Sequence, residues 1–240
     1  MRTEVEIVAT LDRGVRHSAT GGLAVRVTAP GVVQLIGTAA TPLGGDEIAV
    51  RIRVEPGAEL TVGSVAAMIA LPARGRPDSA ARWDVQVGDG GRLRLDPQPT
   101  VVAGGAVHTS DIVARIHPDA TLALHEHIQI GRSSTMTDMA VKDRAGEWTG
   151  GLRVEVGERV VLAHRVALGA RTPAGACGHR AMSSVFRYPD RRPEEVHPTD
   201  FAARLRLAGD ASLTSSLGAS VATTRRLADG LDLLATPNGR

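Results

Sequence analysis

In EIAVRIRVEPGAEL (residues 47–60) apolar residues alternate with polar ones up to Val54, and a Pro-Gly-Ala turn then leads to Leu60. A period of two marks a strand with one face buried, and Pro-Gly is turn chemistry. The same form returns twice. VEPGAEL (54–60) is followed by VGDGGRL (87–93) and IHPDATL (116–122): an apolar residue, any residue, Pro or Asp, Gly or Asp, Ala or Gly, any residue, then leucine. Leu60, Leu93 and Leu122 stand 33 and 29 residues apart, and VGERV (156–160) reads as a shortened fourth copy. Repetition at such spacing is what stacked supersecondary units produce, each burying its apolar face on the next. The expected architecture is mainly β, a layered or helical-coil (β-solenoid-like) structure with strand-turn-strand corners at these motifs.

Working outward, alternation continues in EVEIVA (4–9), LAVRVTA (23–29), WDVQV (83–87), RLRLD (92–96), DIVARI (111–116), TLALHEHI (121–128) and RVVLAHRV (159–166). After residue 170 the texture changes. ARTPAGACGHRAMSS (170–184) and YPDRRPEEVHPTD (188–200) are rich in Pro and Gly and read as long loops. In SLGASVATTRRLADGLDLLA (216–235), Leu217, Val221, Leu227, Leu231 and Leu234 fall at roughly helical spacing and predict a C-terminal helix. No boundary is sharp enough to divide residues 1–240. The expectation is one domain, with a β body to about residue 170 and loops and a helix beyond it.

Composition narrows the function. Hydrophobic residues make up 42% of the chain but aromatics only 2%, so the core must be built from Val, Leu, Ile and Ala. The formal charge is +2, and Lys142 is the only lysine among many scattered arginines. There is no basic run and no aromatic interleaving for bases to stack on, which argues against nucleic-acid binding. Cys177 is the only cysteine, so neither an internal disulfide nor a Cys-x-x-Cys metal site is expected. The N-terminal MRTEVEIVATLD carries charges where a signal peptide would be apolar, and no segment approaches the roughly 20 apolar residues that span a bilayer. The expectation is a soluble cytoplasmic protein with no membrane partner.

The stretch LALHEHIQIGR (122–132) carries the most chemistry. On a strand, Leu122, Leu124, Glu126, Ile128 and Ile130 share one face, and Ala123, His125, His127 and Gln129 share the other. The histidines then sit on a polar face, where two solvated imidazoles are the plain expectation. Glu126 is anomalous among aliphatic neighbours, because an ionised carboxylate there must be paired, wetted or neutralised. It either pairs with an arginine or lines an internal cavity, channel or interface. A cupin metal site would use His125 and His127, but Gly131 and Arg132 stand where its glutamate belongs. In TPLGGDEIAV (41–50), Asp46 follows two glycines and opens a strand, a turn rather than a phosphate loop. Cys177 and His179 in CGHR provide too few ligands for a site. No Gly-x-Ser-x-Gly elbow occurs, and His17, His108, His164 and His197 have no sequence neighbours that mark a triad.

Taken in order, three segments resemble the urease accessory protein UreD (UreH) family. They are LGGDEIAVRIRVEPGAELTV (43–62), RLRLDPQPTVV (92–102), and Glu126 ahead of Gly131-Arg132. Departures from the family pattern are the glycine-poor GTAATPL (37–43), the tyrosine-free VGSVAAMIALPARGRP (62–77), and SSTMTD after Gly-Arg. The resemblance implies a largely β helical-coil fold and a maturation chaperone rather than an enzyme. It also implies partners, the urease apoprotein and the accessory proteins UreF and UreG, and nickel in transit rather than a tightly bound cofactor. Asp46 and Glu126, with His125 and His127, are the candidate ligands for such a path, since carboxylate and imidazole suit weak passage of Ni²⁺. The alternative is a cupin-like β protein holding a metal or small ligand on His125 and His127.

Overall fold

The structure, a computed structural model, describes residues 1–131, 145–169 and 178–233. Two hairpins open the chain: β1 (Arg2–Thr10) with β2 (Gly14–Thr20), and β3 (Leu23–Ala29) with β4 (Val32–Gly37). The coil follows. Strands β5 (Glu47–Val54), β8 (Asp78–Val87) and β11 (Val107–Ile116) lie parallel in one sheet. Strands β6 (Glu59–Ser64), β9 (Arg92–Asp96) and β12 (Thr121–Ile130) lie parallel in the other. Short strands β7 (Met68–Ala70) and β10 (Thr100–Val102) pair in parallel on the way back. Beyond the coil come β13 (Glu147–Val156) and β14 (Arg159–Gly169). They are followed by β15 (Ala181–Tyr188), β16 (Glu195–Val196), β17 (Ala202–Leu207), β18 (Ala211–Gly218) and the helix α1 (Val221–Leu233). Sheet A has the order β14-β13-β11-β8-β5-β1-β2, and sheet B the order β16-β17-β18-β15-β12-β9-β6-β4-β3.

The recurring turns are the corners where the chain passes from sheet A to sheet B. Each closes in the same way: Ala58 N–H donates to Glu55 O (3.1 Å), Gly91 N–H to Gly88 O (2.9 Å) and Ala120 N–H to His117 O (3.0 Å). The corners also bond to one another, with Gly88 N–H to Val54 O and His117 N–H to Val87 O, both 2.8 Å. In register, Val54, Val87 and Ile116 stack on the sheet A side and Leu60, Leu93 and Leu122 on the sheet B side, all six buried. Gly57 (φ +69°) and Gly90 (φ +60°) supply the left-handed backbone that the first two corners need, whereas Pro118-Asp119 turns without it.

The fourth copy differs from expectation. Gly157 N–H does stack on Ile116 O at 2.9 Å, but β13 turns back as the hairpin β13–β14 and stays in sheet A. VGERV therefore ends the coil instead of extending it.

The region after 170 is also less loop-like than its composition indicates. Residues 170–177 lie outside the described set, but β15, β18, β17 and β16 continue sheet B in antiparallel fashion. Residues 189–200 are loop, as expected, apart from the two residues of β16, while Tyr188 ends β15. The helix begins later than its leucine spacing indicates. Leu217 belongs to β18, Ser220 caps the helix with its Oγ 3.3 Å from Thr223 N–H, and Leu234 lies outside the described residues.

α1 packs on the outer face of sheet B and is tied down at its C-terminal end. The buried Arg204 guanidinium donates to Leu231 O and that of Arg192 to Asp232 O, placing cations against the helix's terminal carbonyls. Arg187 pairs with the Asp232 carboxylate, Nε to Oδ1 at 2.6 Å. Among the described residues no helix is long and apolar enough to cross a membrane.

Leu93 is the middle rung of the corner ladder, so Leu93→Ala should cost about 3 kcal/mol in urea denaturation. Leu11→Ala, at a residue 74% exposed, should change stability by less than about 0.5 kcal/mol.

Candidate functional site

The inner faces of the two sheets enclose two apolar clusters. The larger holds the corner ladders with Leu124 and Phe186; the smaller contains Val102, Ile128, Ile130, Trp148, Leu168 and Met182. Strand β12 crosses from one to the other, and Glu126 lies at the crossing. Leu124 and Ile128 on either side are each 1% exposed, yet Glu126 keeps accessible surface, so there is space around the carboxylate. From sheet A, Ser110 Oγ donates to Glu126 Oε1 at 3.5 Å, and His108, next on the same face, shares a 2.9 Å hydrogen bond with Ser79. Ser184 sits directly opposite Glu126 on β15 and shares its face. Ser79, His108, Ser110, Glu126 and Ser184 thus form a polar seam between two dry clusters.

The electrostatics of the seam follow from burial. Removal from water pushes the Glu126 carboxyl up to about 8, against the hydrogen bond from Ser110 and with a smaller push from the negative charge of Asp111. Burial pulls the His108 imidazole down to about 4. Among the described residues no arginine pairs with Glu126, and the side chain is left partly accessible.

Strand parity places the histidine pair on the opposite face, as read from the sequence, but that face is not solvated. His125 and His127 are 3% and 2% exposed because α1 lies over them. The layer beneath the helix is polar. His127 Nδ1 meets Ser183 Oγ at 3.0 Å, Ser183 Oγ meets Thr224 Oγ1 at 2.9 Å, and Val221 N–H donates to Gln129 Oε1 at 2.9 Å. Asp96, from β9, joins the pair, with Oδ1 3.6 Å from His127 Nε2 and 4.0 Å from His125 Nδ1.

Burial would raise the Asp96 carboxyl, but the facing imidazoles of His127 and His125 and the guanidiniums of Arg94 and Arg225 outweigh it and hold the group far below the ordinary carboxylate range. Asp96 was not singled out from the sequence. The signal was present: RLRLD alternates, and Asp96 shares the face of Arg94, which pairs in register with Ala123 on the histidine side of β12.

Asp46 belongs to a separate hydrogen-bonded group. It accepts hydrogen bonds from Leu43 N–H (2.9 Å) and Thr41 Oγ1 (3.0 Å) and pairs with the Met1 amino group. Burial alone would raise its carboxyl, but these donors hold it low. It shares no hydrogen-bond partner with Glu126, and its evident work is closing the Gly44-Gly45 turn. Gly44 admits no side chain, since a Cβ there would lie 1.6 Å from Arg76 O. Among the described residues the two sheets are open and form no closed barrel, unlike the cupin architecture. Arg132 and Cys177 lie outside the described residues.

The sequence matches the family model described as UreD urease accessory protein over residues 15–232. The chain belongs to the UreD family. It is 33% identical to "Urease accessory protein UreD" of Frankia alni, an alignment covering 100% of this chain and 87% of that protein. It is 35% identical to the UreD of Streptomyces avermitilis (84% of this chain, 77% of the relative) and 32% identical to that of Streptomyces coelicolor (88% and 85%). The UreD resemblance read from three short motifs therefore holds across nearly the whole chain.

The buried His108 makes stability pH-dependent with a definite sign. Its folded value of about 4 lies below the unfolded value of 6.5, so its contribution is intact above 6.5 and is lost as pH falls through 4. The full loss is about 3 kcal/mol. His125 adds in the same sense, while Glu126 acts oppositely between 4.5 and about 8. The difference in unfolding free energy between the unmodified protein and His108→Asn, followed from pH 7 to pH 4, isolates the effect and should shift against the unmodified protein.

Proposed function

We propose that this UreD-family chain is a urease maturation chaperone: it binds the urease apoprotein and, with UreF and UreG, assists insertion of nickel, which passes along the inter-sheet seam past Glu126. It acts as a single unit without catalytic groups or a resident cofactor, and nickel is cargo. The observation that carries this reading is Glu126 itself. A carboxylate with room around it and one long hydrogen bond, set between two apolar clusters, is a costly arrangement for stability alone. It suits brief capture of a divalent cation, because a sparse oxygen set releases what it binds. His108, Ser79, Ser110 and Ser184 provide further polar atoms along the same line. Asp46, engaged in its turn, is left off this path. The family relationship supports the urease partners, since the relatives are urease accessory proteins by name.

Glu126→Gln keeps size and the Ser110 contact but removes the ionisable carboxyl, which is largely protonated near neutral pH and must give up its proton to hold a cation. In a reconstituted activation assay with urease apoprotein, UreF, UreG and nickel, this variant should lower nickel incorporation several-fold, with a thermal midpoint equal to or above that of the unmodified chain. Unchanged nickel incorporation would remove Glu126 from the mechanism. Separately, affinity capture of the tagged chain from cells making the urease subunits should recover urease and its accessory proteins; their absence would overturn the partner assignment.

A further inference from the structure

We infer that Asp96, His125 and His127 form a second site, beneath α1 and on the opposite face of β12 from Glu126, that binds one divalent transition-metal ion of the imidazole-preferring kind.

The donor atoms are already gathered. One ligand atom from each of the three residues lies within 4.8 Å of the others, with the Asp96 Oδ1 distances at 3.6 and 4.0 Å. Metal–ligand bonds of about 2.0–2.2 Å in tetrahedral geometry put donors about 3.4 Å apart, so a small contraction of the trio suffices. The histidines are unpartnered where a ligand must be. Among the described residues, neither His125 Nδ1 nor Nε2 has a hydrogen-bond partner, and nor does His127 Nε2, although both rings are buried. Buried polar atoms are almost always satisfied, and two of these three, His125 Nδ1 and His127 Nε2, face one carboxylate.

His127 has the arrangement expected of a ligand. Its Nδ1 is held by Ser183, which is held in turn by Thr224 of the helix, leaving Nε2 facing Asp96. Orientation of one ring nitrogen by an outer group while the other faces the metal is the usual pattern of imidazole ligands. Two imidazoles and one carboxylate select Zn²⁺, Ni²⁺ or Co²⁺ over Mg²⁺ or Ca²⁺. The other such cluster among the described residues, Asp89, His117 and Asp119, is exposed and has no such unpartnered buried atoms.

Two cations oppose the metal and set its strength. Arg94 donates to Asp96 Oδ2 at 2.6 Å and Arg225, from α1, to Oδ1 at 3.2 Å. Both arginine side chains are partly exposed and can turn to solvent. The ion must displace Arg225 from the oxygen that it needs, so binding is weaker than at a closed Cys/His site and is coupled to the position of the helix.

Calorimetric titration of the full chain with Zn²⁺ and, separately, Ni²⁺ tests this. One ion per chain should bind in at least one arm. His125→Gln and His127→Gln should each weaken it at least tenfold, His117→Gln should leave it unchanged, and Arg225→Ala should tighten it several-fold. Absence of binding in both arms, unaltered affinity in the two buried-histidine variants, or loss on His117→Gln would each overturn the site. Should the buried-histidine variants fail to fold, Arg225→Ala decides, and affinity unchanged in that chain overturns the proposal. These outcomes are independent of urease activation, so failure here leaves the role of Glu126 standing and failure there leaves this site standing.

Discussion

The stacking of three strand-turn-strand corners is the constraint on which everything else in this structure depends. Each corner leaves unpaired backbone groups that the next one satisfies, through the bonds Gly88 to Val54 and His117 to Val87. The Val54–Val87–Ile116 and Leu60–Leu93–Leu122 ladders then hold sheets A and B at one distance along the coil. With so few aromatic residues in the chain, close packing of these aliphatic rungs is the main source of cohesion. The ladder also sets the phase of β12. Once Leu122 is a rung, Leu124 and Glu126 must face inward and His125 and His127 outward.

That phase gives one strand two chemistries. Its inner face places a single carboxylate in the gap between two dry clusters; its outer face places two imidazoles against Asp96 under a helix. The inner group is sparsely partnered, since among the described residues only Ser110 hydrogen-bonds to it from the facing sheet. The outer group is controlled by competition, since Arg94 and Arg225 occupy the carboxylate that the imidazoles face. Both depend on the same register, and a one-residue slip of β12 would exchange them.

The helix that covers the outer face buries Ala228 and Leu231 and is held by charge at its C-terminal end. Arg187, Arg192 and Arg204 come from β15, the following loop and β17, and all converge on its last turn. Asp190 fixes Arg192 through a bidentate pair at 2.8 and 2.7 Å, and Ser212 supports Asp190. Such a lock is invisible in sequence, because its members are separated by up to 45 residues and each alone reads as a surface charge. The same blindness hid β15 to β18. Their residues serve one face of a sheet under a polar helix interface, so Ser183, Ser212, Thr214 and Ser216 appear where an apolar alternation would have marked strands.

The sequence by itself determined the coil, its corners, the period of its ladders and the parity of LALHEHIQIGR. These are local properties of backbone period and turn chemistry, and they repeat along the chain. It also pointed to the family, through three motifs in a fixed order. Only the tertiary structure decided what each face of β12 meets. Helix cover turned a presumed wet face into a buried one, and open sheets removed the cupin barrel. β9 brought Asp96 to the histidines from 29 residues before His125. The fourth corner's failure to cross belongs here as well, since whether a turn continues a coil or closes a hairpin depends on which sheet edge is free to receive the next strand. Burial, pairing and the pKa values that follow from them are properties of neighbours in space, and the order of residues along the chain does not contain them.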